Sequence, residues 1–463
     1  MAQPASKLLF VVGAGGPPFE YALPRLARQA DLYALVATEV SKAQRDLLSQ
    51  WCAGVAQPDL AGRPESIVDE IVAAARRFGA GGIITFSEFA VIAVAQACAR
   101  LGLPGPGPNA RLARDKWLMR QRWSEAGLPE PRFAKVGSLA DLEAATRTLA
   151  MPFLLKSAGR GGGIGQQVID ATTVLPEVLK TIGAVLDQAA EHGIVEYSEG
   201  LDVGHWVAEE IIDSTTDSWY DDSRYGDFLS VEGIVAGGEY HPVCITGRLP
   251  TLPPFAEIGA VSPCVLREDL QRKIEDLARA SVNALGLETC GTHTEFKLMS
   301  DERLCLLETA ARLGGSTAVA LAEVVFGIDL IGLQASEALG QHPSYPERML
   351  TSGTGAAASL YLFAASTAGQ PWAAQTAFNW KQLDWTELVS GASRVEILPS
   401  QMIPDGTVIT PYRPGSGALN YAGSVLLHSP DAETLLTDSY RLINNLEAAL
   451  RTVEAAANGN EGR

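Results

Sequence analysis

The chain has 463 residues, 47% of them hydrophobic, which is more core than one ordinary domain holds, so two or three subdomains are expected. A formal charge of −18 argues against nucleic acid and disfavours anionic membrane surfaces as partners, because both require basic protein surface. No apolar run reaches membrane-span length, MAQPASKLLFVV passes straight into a strand pattern, and Cys52, Cys98, Cys244, Cys264, Cys290 and Cys305 stand in apolar segments without a CxxC, so a cytoplasmic protein with reduced core thiols is expected.

Residues 8–12 read as a buried strand, turned by 13–18 into a helix near 20–28. A strand at 32–37, helices near 41–51 and 65–78, and a strand at 82–86 follow. Strands alternating with helices predict an α/β domain, a parallel sheet covered on both faces. Gly13, Gly15 and Gly16 do not complete GxGxxG, because Pro18 stands at the last position, so the segment reads as a tight turn. Glu88 follows the strand at 82–86, on the side where such sheets bind ligands; it is a candidate substrate contact, and equally a helix-start residue favoured by the dipole.

LPGPGP (103–108) stops any regular element and marks a boundary, after which Asn109 is expected to cap a helix running to Glu125 with Lys116 inside it. In PFLLKSAGRGGGIGQQVID (152–170) a strand ends at Lys156, a glycine-dense loop follows, and a second apolar strand closes the motif. This strand–loop–strand is no Walker site. Gly159, Gly161, Gly162, Gly163 and Gly165 let backbone N–H groups close on phosphate oxygens, and Lys156 adds a point charge. WVAEEII (206–212) reads as a strand whose backbone ends beside an apolar wall, as an adenine edge requires. The acidic segment 213–228 reads as a solvated loop, 230–235 and 238–247 as a hairpin through Gly237-Gly238, 249–263 as a Pro-rich loop containing Glu257, and 268–285 as an amphipathic helix.

Residues 290–316 organise the chain. Thr292, Thr294, Phe296 and Leu298 alternate with His293, Glu295 and Lys297, a polar turn follows at 300–302, and 304–307 is a short strand. The hairpin brings Glu295 towards Glu308, with Arg312 just beyond. Paired carboxylates need a cation, and hard oxygen ligands suit Mg2+, which binds through one or two carboxylates plus substrate phosphates. His293 reads as a structural or metal-shell histidine. A helix at 317–325, short strands and a terminal helix from Ser429-Pro430 complete the chain, with 457–463 expected to fray.

Taken in order, Lys116 on a helix, Lys156 before AGRGGGIGQ, WVAEEII, and HTEFKL followed by ETAARLGG, with Glu295 thirteen residues ahead of Glu308, resemble an ATP-grasp carboxylate–amine ligase over about residues 8–335. FSEFAVIAVAQACARLGLPG, SVEGIV, THTEFKLM and LLETAARLGG resemble, within it, bacterial L-amino-acid ligases of the bacilysin-synthetase type, which make dipeptides. The resemblance implies an ATP-grasp fold: an N-terminal Rossmann-like domain over 1–108, an ATP-grasp region over 109–335 (lid about 130–208, core about 209–335) and a C-terminal α+β part over 336–463 that completes the core. It implies that Lys116, Lys156, Ser157, Gly161, Gly162 and Gly163 hold ATP phosphates, and that Glu209, Glu210 and Ile212 receive adenine. Glu295 and Glu308 would bind Mg2+ or Mn2+, and Arg312 would stabilise the charged acyl species. Glu88, Glu257, Gly315 and Ser316 would face amino-acid substrates, and a homodimer is implied. Two positions depart from the pattern: Ala310 replaces the usual Asn of the metal motif, and Ser316 stands where members selecting a very small first amino acid carry a bulky aromatic. A ligase for a non-amino-acid carboxylate and a non-catalytic ATP-binding regulator remain the competing readings. The regulator is disfavoured because it needs no phosphoryl-transfer charge set.

Overall fold

The computed structural model describes residues 6–58, 67–159, 165–191, 205–414 and 420–460. Near the N-terminus, β1 (Lys7–Val12), α1 (Phe19–Gln29), β2 (Asp31–Val36), α2 (Lys42–Trp51), β3 (Gly54–Ala56), α3 (Ile67–Phe78), β4 (Gly82–Thr85) and α4 (Val91–Leu101) alternate as the apolar runs predict. The strands form a parallel sheet in the order β3-β2-β1-β4. Helices α3 and α4 bury one face, through Ile71, Val72 and Ala93 against Leu9 and Val11. The other face packs on α1, on α2 and on a helix more than three hundred residues away in sequence, described below. The 13–18 segment is a tight turn, with Gly15 and Gly16 at φ 80° and 92°, which glycine tolerates.

The helix expected from Asn109 to Glu125 is broken. Helix α5 (Ala110–Arg114) ends at Asp115, and α6 (Lys116–Glu125) restarts there, the Asp115 carboxylate accepting from the Trp117 and Leu118 amides at 2.9 and 3.2 Å. Asn109 stands at the N-cap position of α5 without a side-chain capping bond; its side-chain amide donates to Gly286 O at 3.1 Å instead. A buried aspartate competing for amide donors restarts the helix, and the apolar pattern does not reveal that.

The next unit contains β5 (Phe133–Val136), α7 (Leu139–Thr148), β6 (Phe153–Ser157), β7 (Gln167–Ile169), α8 (Leu175–Glu191) and β8 (Trp206–Glu210), with an antiparallel sheet in the order β5-β8-β6-β7. Strand β8 ends at Glu210, two residues earlier than expected.

The largest sheet among the described residues has eight strands in the order β13-β12-β9-β10-β11-β14-β18-β16. It is built from β9 (Phe228–Ala236), β10 (Glu239–Arg248), β11 (Gly259–Ser262), β12 (Cys290–Leu298) and β13 (Leu304–Ala310), then, past α10 (Ala320–Phe326) and α11 (Leu330–Ala338), from β14 (Ala356–Leu362), β16 (Arg394–Ile397) and β18 (Gly423–Ser429). The small strands β15 (Thr376–Ala377) and β17 (Val408–Ile409) pair separately. Helix α9 (Glu268–Leu285) buries Leu270, Ile274 and Val282 under β9 and β12, and α11 is the distant helix that covers the parallel sheet. The β9–β10 hairpin turns through Gly237 and Gly238 as expected, and the loop at 249–263 ends in β11. Strand β13 runs three residues past the expected 304–307, which places Glu308 inside the sheet.

The terminal helix α12 (Ala432–Asn460) starts after Asp431, whose carboxylate accepts from Thr434 N at 2.8 Å, while Ser429 still belongs to β18. It continues to Asn460, so the fray expected from 457 is not seen as far as that residue. Among the described residues no single helix is long and apolar enough to cross a membrane.

Candidate active site

Strand β12 buries Thr292, Thr294 and Phe296 on one face and leaves His293, Glu295 and Lys297 half-buried on the other. Its register with β13 sets Glu295 opposite Glu308 and His293 opposite Ala310. A bulge follows at Leu307, so two half-buried residues, Leu307 and Glu308, share one partner across the ladder. Opposed residues lie about 5 Å apart at Cβ, where two carboxylates repel unless cations stand beside them. The cations are present: Lys116 Nζ lies 3.1 Å from Glu308, and His293 Nε2 lies 3.2 Å from Glu295. His293 Nδ1 is 2.7 Å from Glu232, which also accepts from Ser230 at 2.8 Å and Thr246 at 2.9 Å. Burial disfavours a charged ring, but Glu232 and Glu295 outweigh it and raise the His293 pKa to about 9. Burial likewise works against the Glu232 carboxylate, and His293 overcomes it, holding the group at about 2.

Among the described residues no three Asp, Glu, His or Cys side chains gather into a complete metal cage. Two opposed carboxylates suit an ion that completes its shell with phosphate oxygens and water, so the residues present fit Mg2+. Alanine at 310 adds no ligand; it lies across the ladder from the His293 ring.

The restart of α6 puts Lys116 in its first turn and Arg120 four residues on, on the same face. Arg120 reaches Glu209 on β8 of the four-stranded antiparallel sheet and Leu307 O on β13 of the large sheet, and Lys116 reaches Glu308 on β13. Arg120 Nε lies 3.0 Å from Glu209, its Nη2 donates to Leu307 O at 2.5 Å, and Lys156 Nζ lies 2.6 Å from Glu209. All three side chains are at least 90% buried. Burial lowers the Lys156 pKa, Arg120 and Lys116 add like charge in the same sense, and Glu209 works against them. The Lys116 amide donates to Ala158 O at 3.0 Å, which ties the helix to the chain just after Ser157. Gly161, Gly162 and Gly163 lie outside the described residues.

Glu210 faces away from Glu209. Its carboxylate meets Arg132 at 3.1 Å and accepts from Ala150 N at 3.2 Å. The Ile212 amide donates to no backbone carbonyl among the described residues. Glu210 and Ile212 line a cavity of about 690 Å³ together with Pro129, Met299, Arg303 and Cys305.

At the far end of the hairpin Arg312 Nε lies 2.7 Å from Glu88, and Arg114 Nη1 lies 3.9 Å from the same carboxylate. Glu88 is buried, which disfavours its charge, but Arg312, Arg114 and Lys116 together lower its pKa. Glu257 lies 3.3 Å from Arg248, whose Nη2 donates to Ser230 at 3.0 Å. Burial raises the Glu257 pKa, Arg248 opposes this, and Glu295 adds to it. Gly315 precedes a 3-10 turn over Ser316–Val319; Ser316 is not its N-cap but stands inside it at φ 52°.

The structure thus places Glu88, Lys116, Lys156, Glu209, Glu257, Glu295, Glu308 and Arg312 in separate ion pairs that feel one another's charge, with Glu210 and Ile212 on the neighbouring cavity. Sequence reasoning missed Glu232, Arg114, Arg120 and Arg248. Two carried a readable signal: Glu232 is an acid inside the apolar run SVEGIV, and Arg120 sits one helical turn from Lys116.

An ATP-grasp N-terminal domain model matches residues 35–105. The chain is 35% identical over 270 residues to alanine–anticapsin ligase of Bacillus subtilis, covering 58% of this chain and 56% of that one, and 34% identical over the same length to its Bacillus amyloliquefaciens counterpart. It therefore spans about half the length of the curated relatives it matches. A solved L-amino acid ligase from Bacillus licheniformis superposes with a TM-score of 0.73 at 21% identity, over 95% of this chain and 98% of that one. A biotin carboxylase from Campylobacter jejuni superposes at 0.64 with 16% identity, over 95% and 94%. The chain has the ATP-grasp fold, and over 270 residues its sequence is similar to the alanine–anticapsin ligases.

Proposed function

We propose that the chain is an ATP-dependent ligase that joins two amino acids through an amide bond, by way of an acyl phosphate, releasing ADP and phosphate. The observation that carries this is the register of Glu295 against Glu308 with Lys116, His293 and the Arg312–Glu88 pair around it. A carboxylate at neutral pH is a poor electrophile, and phosphorylating it supplies a leaving group. The step crowds several anions together, which requires fixed cations in a dry site. Bound Mg2+ would neutralise phosphate charge between Glu295 and Glu308. Lys116 and Lys156 hold the phosphates, exchanging their bonds to Glu308 and Glu209 for phosphate oxygens. Arg312 leaves Glu88 for the developing acyl charge, and Glu88 and Glu257 are left to receive ammonium groups. Adenine is read by the Ile212 amide, the Glu210 carbonyl and the Glu209 side chain, and the chain from Ser157 through Gly161, Gly162 and Gly163 covers the phosphates. Gly315 and Ser316 bound the pocket of the activated amino acid. Mn2+ in place of Mg2+, a cytoplasmic homodimer, and boundaries after residues 108 and 335 belong to the same proposal.

The likeness to the alanine–anticapsin ligases supports amino acids over other carboxylates. The test is phosphate release from ATP across a matrix of paired amino acids, followed by product mass. Release that requires an amino-acid pair, with a dipeptide mass, is expected. ATP hydrolysis indifferent to amino acids, or a product built on another carboxylate, would overturn the reading.

A further inference from the structure

Ser316 is a non-glycine residue at φ 52°, in the left-handed region that an L side chain rarely adopts. Two sets of contacts hold it there. Its amide donates to Gly16 O at 3.1 Å, on the turn after β1. Its Oγ lies 2.8 Å from Ser424 Oγ, 3.2 Å from Gln401 Oε1 and 3.4 Å from the Tyr421 hydroxyl. These three partners come from β18 and its approaches, more than eighty residues beyond Ser316.

We propose that Gln401 and Tyr421, with Ser316, form the side-chain pocket of the amino acid whose carboxylate is activated, and that this pocket selects an uncharged side chain bearing a hydrogen-bonding group, a carboxamide or a hydroxyl. The inference rests on the ligase reading. The cluster adjoins the reacting end of the site. A Cβ on Gly314, two residues before Ser316, would come within 3.2 Å of Glu232 and 3.3 Å of His293, which touches Glu295. Arg312 lies four residues before Ser316. The Tyr421 ring meets Tyr361 edge-on at 6.2 Å, and Tyr361 lies in the field of Glu257.

The polarity of the pocket follows from its unspent hydrogen bonds. Ser424 is fully buried, whereas Ser316, Gln401 and Tyr421 are half-buried and keep one side open. One end of the Gln401 amide bonds Ser316; the other has no partner among the described residues. Among the described residues no charged side chain is bonded to any of the four. A charged substrate side chain would find no counter-ion, and an aliphatic one would cover the spare amide group without satisfying it. Gln401 is also preorganised: the preceding Ser400 donates through its amide to Glu20 at 2.8 Å and through its hydroxyl to the same carboxylate, which pins the 3-10 turn Pro399–Gln401 to the start of α1.

The test uses the full chain and two variants, Gln401→Leu and Tyr421→Phe, the second removing one oxygen so that at least one variant folds. Thermal melting verifies each. Phosphate release is measured with glutamine and with methionine, a near-isostere without the amide, as activated substrate against one fixed amine partner, and fragmentation of the product identifies the N-terminal residue. Wild type is expected to favour glutamine. Gln401→Leu should shift the kcat/KM ratio towards methionine by about tenfold or more, and Tyr421→Phe in the same direction by less. An unchanged ratio in both folded variants, or a wild type that favours methionine, overturns this inference and leaves the ligase reading standing. No phosphate release with any amino-acid pair overturns the ligase reading and this inference with it.

Discussion

Replacing Glu308 by Gln removes one negative charge while keeping the side chain's length and one hydrogen-bond acceptor. Two consequences of different size follow from the structure. For stability, the Lys116–Glu308 pair is the contact that changes: Lys116 is 5% exposed and Glu308 23%. Breaking a buried pair costs about 3–5 kcal/mol and an exposed one about 0–1. With one partner partly in water and a Gln oxygen still able to accept, about 1–2 kcal/mol is expected, too little to unfold the chain. For turnover, one of two carboxylates available to the metal is lost, and removing one preorganised electrostatic contact costs roughly 3 kcal/mol in the transition state, or about two orders of magnitude in kcat. The assay is phosphate release at saturating Mg2+ with an amino-acid pair, beside Mn2+ binding followed by electron paramagnetic resonance and a urea melt. The expected result is a loss of at least about a hundredfold, weakened Mn2+ binding and a small stability change. Near-normal turnover with unchanged Mn2+ binding would refute the assignment of Glu308 to the metal.

Three further outcomes follow from particular contacts. Ser316→Trp should push aside Gln401 and Tyr421, lowering stability by about 1–3 kcal/mol from overpacking and narrowing the activated substrate to small residues; an unchanged substrate ranking would remove Ser316 from the pocket. Glu275 is buried, which disfavours its charge, but Arg348, Arg272, Arg279 and the Met349 amide hold its pKa at about 2. Its folded value lies below the unfolded value of about 4.3, so its contribution of roughly 3 kcal/mol is present above about pH 5 and lost as pH falls towards 2. In urea melts Glu275→Gln should therefore be clearly less stable than wild type at pH 7, with the gap about halved at pH 3; a gap independent of pH would refute the pairing. In the β12–β13 turn, Asp301 and Glu302 both have positive φ, 56° and 54°. Glu302→Gly should relieve the second and raise the melting temperature, by about 1 kcal/mol of stability, since the ion pair it gives up with Arg267 is solvent-exposed; a lower melting temperature would show that this ion pair outweighs the strain.

Hydrophobic periodicity and the order of a few polar motifs determined the architecture at the level of elements. The runs at β1, β2 and β4 read as buried parallel strands, and the alternation from Thr292 to Leu298 with a polar turn after it as a hairpin arm. Those patterns are local, set by which residues water rejects, and they put Glu295 and Glu308 on adjoining strands. Tertiary structure alone decided whether the two met. The extension of β13 to Ala310 and the bulge at Leu307 make Glu308 the direct partner of Glu295, and neither feature is written in the apolar pattern. The break of the helix at Asp115 arose likewise from a buried carboxylate capturing amide donors, and it makes Lys116 the first residue of α6. Long-range pairs were beyond local reading altogether: Glu232 with His293, Glu88 with Arg312, and Ser316 with Gln401, Tyr421 and Ser424 lie between 61 and 224 residues apart. A charge or hydroxyl displays its type in the sequence. Its partner, and therefore its protonation, orientation and task, is settled only by which surfaces the packing brings together.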